Sequence, residues 1–127
     1  MRSDVTFTLI GDDEQRTPHD LVAESSAATV VVMDLELYEE AGEWERGSAV
    51  GSVHGTAVVT HGGRAVCHLT FELEGHDTIV AQGVLPLEGS SIGGGRVAVT
   101  GGTGRFERAS GAVEIESRNP KRFRMAL

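Results

Sequence analysis

Three polar side chains, His54, Thr56 and Gln82, lie in segments whose alternate positions are apolar, an arrangement suited to holding a small hydrophobic molecule by a few polar groups. The segments Ser48 to Thr60, Arg64 to Glu74 and Asp77 to Leu87 are separated by Gly62-Gly63 and Gly75-His76, which fit two-residue hairpin turns. Turn length sets register. Two-residue turns pair His54 with Phe71, Thr56 with Leu69 and Val58 with Cys67 in the first hairpin. In the second they pair Val80 with Phe71, Gln82 with Leu69 and Val84 with Cys67. Cys67, Leu69, Phe71 and Leu73 form the apolar face of the central strand, and His68, Thr70 and Glu72 the other. The apolar face is expected to point inward and to carry its partners with it. The expected site is therefore a cavity walled by Cys67, Leu69, Phe71 and Val80, with His54, Thr56 and Gln82 converging on it. The alternative is that the three polar groups satisfy one another and nothing else, because a buried polar side chain is more often structural than catalytic.

Other chemistries fit poorly. On this register His54 faces in and His68 faces out, while His61 and His76 lie roughly 20 Å apart at about 3.3 Å per residue, so no convergent metal site is expected. No cofactor is expected either. Cys67 has no evident feature that would favour its thiolate and reads as a small core residue. The glycine cluster Gly101, Gly102, Gly104 invites a phosphate-binding reading, but Arg105 and Phe106 stand where a P-loop needs Lys and Ser/Thr, and another strand follows instead of a helix.

The elements that must position these groups are strands. In Arg96 to Ser117, Val97 and Val99 alternate on one side of a glycine-rich turn and Val113 and Ile115 on the other, with Phe106 placed to plug the barrel end or sheet edge beneath the turn. Asp4 to Ile10 is a short strand with Val5, Phe7 and Leu9 on one face. Gly11 to Ser26 is a polar connection that leaves room for a short helix at Pro18 to Glu24 capped by Thr17. Ala28 to Tyr38 alternates Met33, Leu35 and Leu37 with Asp34 and Glu36. Glu39 to Gly47 reads as an acidic loop or lid carrying Trp44 at a barrel rim. Asn119 to Leu127 sets Phe123, Met125 and Leu127 on one face and is expected to close the sheet, hiding its edges. The fold class expected is all-β, an eight-stranded antiparallel barrel, just wide enough to be filled by side chains or to hold one small ligand.

The segment TGGTGRFERASGAVEIE resembles the TGG-(S/T)-G-x-F-x-x-(A/V)-x-G-x-V run shared by plant allene oxide cyclases and dirigent proteins, and HDTIVAQGVLPL is similar to the cyclases' H-x-x-V-Q-G-x-Y-L. The match covers about residues 50 to 117. It implies an antiparallel barrel, often oligomeric, that acts on hydrophobic small molecules. Gln82 falls at the glutamine of the second motif. Laying Leu37-Tyr38-Glu39 on the cyclases' V-Y-E puts Glu39 at their catalytic glutamate, where a charge beside an apolar lumen would stabilise a developing cation or hold a polar substrate group. Their next asparagine falls on Ala41 and their lumen cysteine near Ala57, so the plants' fatty-acid epoxide cyclisation does not carry over. Phe123 and Met125 resemble the lumen walls of bacterial barrel cyclases that perform intramolecular Diels–Alder reactions on polyketides.

With 127 residues the chain is the size of one domain. A net charge of −8 disfavours nucleic acid and anionic membranes as partners. A single cysteine and no apolar run near 20 residues point to a cytoplasmic protein, and ten arginines against one lysine hint at a high-GC bacterial genome. The expected partner is a hydrophobic small molecule, and the resemblance implies a homodimer or homotrimer. Two functions remain open: a cofactor-independent cyclase or isomerase working by substrate orientation, or a non-catalytic dirigent-like or lipocalin-like barrel that binds and orients a lipophilic molecule.

Overall fold

The computed structural model describes residues 6–12, 30–88, 91–117 and 121–127. The proposed Thr17-capped helix lies outside them. Alternation of apolar and polar residues gives strands β1 (Thr6–Asp12), β2 (Val30–Gly42), β3 (Glu45–Thr60), β4 (Arg64–Leu73), β5 (Thr78–Glu88), β6 (Ser91–Ile92), β7 (Gly95–Gly102), β8 (Gly111–Glu116) and β9 (Lys121–Ala126). The sheet order is β4-β3-β2-β1-β9-β8-β7-β5, and β4 pairs with β5, so eight antiparallel strands close on themselves. The two-residue β6 is appended to β5. The closing role expected of the last segment is observed: β9 pairs with both β1 and β8.

The register around β4 differs from the sequence expectation by one residue. Thr60 pairs with Arg64, leaving the three residues His61, Gly62 and Gly63 in the turn, with φ of +86° and +71° at the two glycines. The next turn is also three residues, Glu74 to His76, closed by the Leu73 N–H donating to the Asp77 carbonyl at 2.8 Å. One added residue per turn moves every partner to the other face. Phe71 therefore lies opposite Val53 and Ile79, Leu69 opposite Gly55 and Ala81, and Cys67 opposite Ala57 and Gly83.

The core is consequently aliphatic and aromatic throughout. Phe71, Phe123, Leu37, Ile79, Met125, Val53, Val97 and Val113 are fully buried. The rings of Phe71 and Phe123 meet edge to face with centroids 5.3 Å apart. Their size is matched by small inward residues: a Cβ added to Gly11 would stand 2.6 Å from Phe123 Cε2. Phe106, in a 3₁₀ turn from Gly104 to Phe106, packs against this core as a plug, as its position in the sequence suggests.

Glu39 to Gly47 is not a loop. β2 runs to Gly42 and β3 begins at Glu45, so Glu43 and Trp44 alone make the turn of a long hairpin kinked by bulges near Tyr38 and Glu40. An ion-paired clamp ties this hairpin to β9. Arg122 lies 2.9 Å from Glu40 Oε2, donates to Glu40 Oε1 at 3.1 Å and to Glu116 Oε1 at 3.0 Å, and stacks its guanidinium 5.5 Å from the Trp44 ring centroid. The Trp44 N–H also donates to Glu40 Oε2 at 2.9 Å. Burial works to push the Glu40 carboxyl up, but the Trp44 N–H and Arg122 together outweigh it and hold the group below its ordinary value of 4.5. A carboxylate with a depressed folded-state pKa contributes stability above its unfolded pKa and loses it as pH falls through the folded value. The stability difference between wild type and Glu40→Gln is thus expected to be largest near neutral pH and to be lost as the pH falls below 4.5 and through the depressed folded-state value. Urea unfolding at stepped pH measures it; a difference that stays constant throughout acid titration would remove the clamp from the acid response.

Candidate functional site

The barrel has two ends of different character. At the end holding the Thr60 to Arg64 turn, a half-open cavity of about 50 Å³ lies among Val31, Met33, Ala57, Cys67, Leu69, Leu85, Ile115 and Phe123. The segment at Ile92 and Gly93 lies beside it, fixed by Gly93 N–H donating to Pro86 O at 2.8 Å and Ser117 Oγ–H donating to Ile92 O at 2.9 Å. A mostly apolar space of this size is far below the roughly 300 Å³ at which drug-sized pockets begin. Burial pushes the Cys67 thiol up, away from the thiolate, in keeping with an inert core residue.

The other end opens as a mouth of about 280 Å³. Phe7 and Leu9 reach it from β1, Val50 from β3 and Leu73 from the end of β4, and Leu9 and Leu73 join the buried core beneath. Its polar groups are Thr8, Glu39, Glu74 and Arg105. Glu39 arrives there because β2 pairs it with Leu9 of β1. Arg105 is anchored by the glycine turn: its Nε donates to Asp77 Oδ2 at 2.6 Å and its guanidinium lies 5.0 Å from the Phe106 ring centroid. That bond from Arg105 holds the Asp77 carboxyl below the ordinary range. An apolar floor with a few polar groups around it is the form expected of a small-molecule site.

The structure redistributes the sequence-derived site. Glu39 is at the mouth. Cys67, Leu69 and Phe123 border the small inner cavity, while Phe71 and Met125 are packed core. His54, Thr56, Gln82 and Val80 do not face inward: the three-residue turns put all four side chains on the outer face, His54 opposite Thr70, Thr56 opposite His68, which in turn lies opposite Gln82, and Val80 opposite Thr70. Thr56 borders the inner cavity, but its side chain is exposed outside. His54 and His68 share that outer face, and among the described residues no three His, Cys, Asp or Glu side chains are grouped to hold a metal. Tyr38 lies under Arg46, whose guanidinium is 4.6 Å from its ring, and Trp44 belongs to the hairpin clamp, so both are outside the lumen.

His54 has partners of its own. Its Nδ1 is 2.7 Å from Asp34 Oδ1 and its Nε2 3.1 Å from Ser52 Oγ, with Glu72 at 3.7 Å. The order of contacts matches a hydrolytic relay. Yet β3 is paired on both sides at this point, which commits its amides to the sheet and leaves none for an oxyanion. The sequence reading missed Phe7, Leu9, Val50, Leu73, Glu74 and Arg105 as mouth residues. Of these only Arg105 carried a signal, its place directly after the glycine turn.

Fold and site together define an eight-stranded closed antiparallel β-barrel with a packed apolar lumen and a mouth at one end. No helix among the described residues is long and apolar enough to cross a membrane. A family model described as Dirigent-like protein matches residues 9–125, and the chain belongs to this family. No protein of curated function is significantly similar to it in sequence. Among solved structures it is similar to a pyocyanin demethylase, with a TM-score of 0.74 at 21% identity over 97% of this chain and 100% of that one. It is also similar to a pterocarpan synthase dirigent protein, with a TM-score of 0.64 at 17% identity over 96% of this chain and 80% of the other.

Proposed function

We propose that the protein is a cofactor-independent cyclase or isomerase that seats a hydrophobic polyene or polyketide-type molecule on the apolar floor of the mouth and folds it for ring closure, an intramolecular Diels–Alder reaction of a spirotetronate- or spirotetramate-type precursor being the specific case. The carrying observation is the mouth itself, Leu9, Leu73, Val50 and Phe7 forming apolar walls with Glu39 at the edge. Orientation supplies most of the rate gain in such a reaction, because holding two reacting ends at contact distance removes the entropy of bringing them together. Glu39 contributes by facing charge that develops on the substrate. The names of both structural neighbours are those of proteins acting on small molecules, which agrees with this reading.

The test is incubation with linear precursors, following cyclisation by a mass-neutral retention shift and NMR. Glu39→Gln is expected to lower kcat/KM by about tenfold or more, whereas His54→Ala and Gln82→Ala, which act on the outer face, stay within about twofold of wild type. No conversion across a broad precursor set overturns the proposal. The buried lumen wall also suits a dirigent-like binder, since none of its residues is an acid, a base or an activated nucleophile. Turnover separates the two: a binder protects one equivalent of ligand and makes no product from several.

A further inference from the structure

The charges around the mouth say what class of molecule it takes, given the reading above that the mouth is where the substrate sits. Four charged side chains stand there, Glu39, Glu74 and Arg105 on its lining and Asp77 bonded to Arg105. The last two offset each other: Arg105 Nε donates to Asp77 Oδ2 at 2.6 Å, and the same guanidinium lies over the Phe106 ring. Glu39 and Glu74 have no such partner. Both are exposed, and among the described residues no ion pair or hydrogen bond involves either side chain. Three carboxylates against one guanidinium leave the mouth negative, on a chain whose net charge is already −8.

The placement of the two carboxylates selects the kind of cation. Glu39 lies opposite Leu9 of β1 and Glu74 follows Leu73 at the end of β4, so each borders a residue of the apolar floor. β3 lies between β2 and β4, which sets the two acids roughly 10 Å apart along the sheet at about 4.8 Å per strand. A metal ion needs oxygen ligands converging to within about 2.6 Å of it. Among the described residues no three His, Cys, Asp or Glu side chains are grouped in that way. The spacing suits a bulkier organic cation. Between the carboxylates lie Leu9, Leu73, Val50 and the half-buried Phe7. An aromatic ring beside carboxylates attracts a positive nitrogen, and the aliphatic side chains take the hydrocarbon attached to it.

We infer that the mouth selects a hydrophobic molecule bearing a positive charge, a protonated amine or a quaternary nitrogen, held between Glu39 and Glu74 with its hydrocarbon on the apolar floor. An acidic group on the same molecule, such as the ring of a tetronate or tetramate, has one cation of the lining to meet, Arg105. The same charges draw cations to this end from solution, because a cleft lined by one sign of charge raises the local concentration of the other.

Fluorescence titration of the full chain with three polyenes of one shape tests this: diphenylhexatriene, its trimethylammonium derivative and its propionic acid derivative. At about 0.02 M salt the cation is expected to bind about tenfold or more tighter than the acid, with the hydrocarbon between them. At about 0.5 M salt the gap narrows, since exposed carboxylates are screened. Glu39→Gln with Glu74→Gln lowers affinity for the cation about fivefold or more and leaves the hydrocarbon within about twofold. Asp34→Asn with Glu72→Gln removes as many carboxylates from the outer face beside His54 and leaves all three probes within about twofold, which separates the mouth from the net charge of the chain. No binding of the cation, equal affinities for the three probes, or an outer-face variant that loses as much as the mouth variant overturns the inference. Those results leave the cyclase itself standing, because conversion of uncharged precursors is measured separately. Cation selectivity without conversion of any precursor overturns the cyclase and keeps the inference.

Discussion

Phe71→Ala is expected to lower the stability of the folded chain by about 3 to 5 kcal/mol, the range for removing a buried aromatic ring. The ring is fully buried, meets Phe123 edge to face and lies opposite Val53 and Ile79 on the flanking strands. It does not border the small inner cavity, which touches Phe123 instead. Truncation therefore opens a new void, and a closed barrel cannot collapse onto it, because each strand is held by hydrogen bonds on both sides. For a domain of this size the melting temperature should fall by roughly 10 to 20 °C. A loss under about 1.5 kcal/mol would mean that the ring already faces open space, and would return the lumen to consideration as the ligand site. Activity gives a second readout. If the mouth is the site, turnover per folded molecule is unchanged in Phe71→Ala; a fall beyond the folded fraction places the ligand deeper.

How much of this was legible in the sequence follows from what sets each feature. The strands were, because burial on one face writes a period of two into the chain: Cys67, Leu69, Phe71 and Leu73 point inward as their spacing says. Closure by β9 was legible for the same reason, in Phe123 and Met125. Register was not. Gly62-Gly63 fits a two-residue turn as well as a three-residue turn that includes His61, and nothing local separates them. The missing discriminator was on the neighbouring strands: Val53, Gly55, Ala57 and Val59 form an apolar and small set that His54, Thr56 and Val58 do not, and burying that set selects the longer turn. Glu39 was found through its family resemblance, whereas Glu74 and Arg105 lie in 3₁₀ turns, where no periodicity marks the side facing the barrel. Trp44 was read as a loop residue because Glu39 to Gly47 is rich in acids and glycine. Its hairpin is held instead by Arg122, 78 positions on from Trp44, a contact that local sequence does not carry.

Gly111→Ala is expected to cost about 2 to 5 kcal/mol, although only a methyl group is added. Two effects combine. Gly111 has φ of +118°, a conformation that side chains rarely adopt, and its added Cβ would stand 2.0 Å from the carbonyl oxygen of Ala126. Ala126 ends β9, the strand that pairs with β1 and β8 to complete the barrel, so relief of the clash must come from the backbone of the closing strand. Gly62→Ala separates the two effects. Gly62 has φ of +86° with nothing within 4 Å of the added Cβ, so its variant carries backbone strain alone, about 1 to 2 kcal/mol. Chemical unfolding of the two variants side by side gives the difference. A Gly111→Ala loss at least 1 kcal/mol above that of Gly62→Ala is assigned to the close approach of β8 and β9. Equal losses would mean that the end of β9 moves aside freely and that the closing seam is looser than the contact at Gly111 implies.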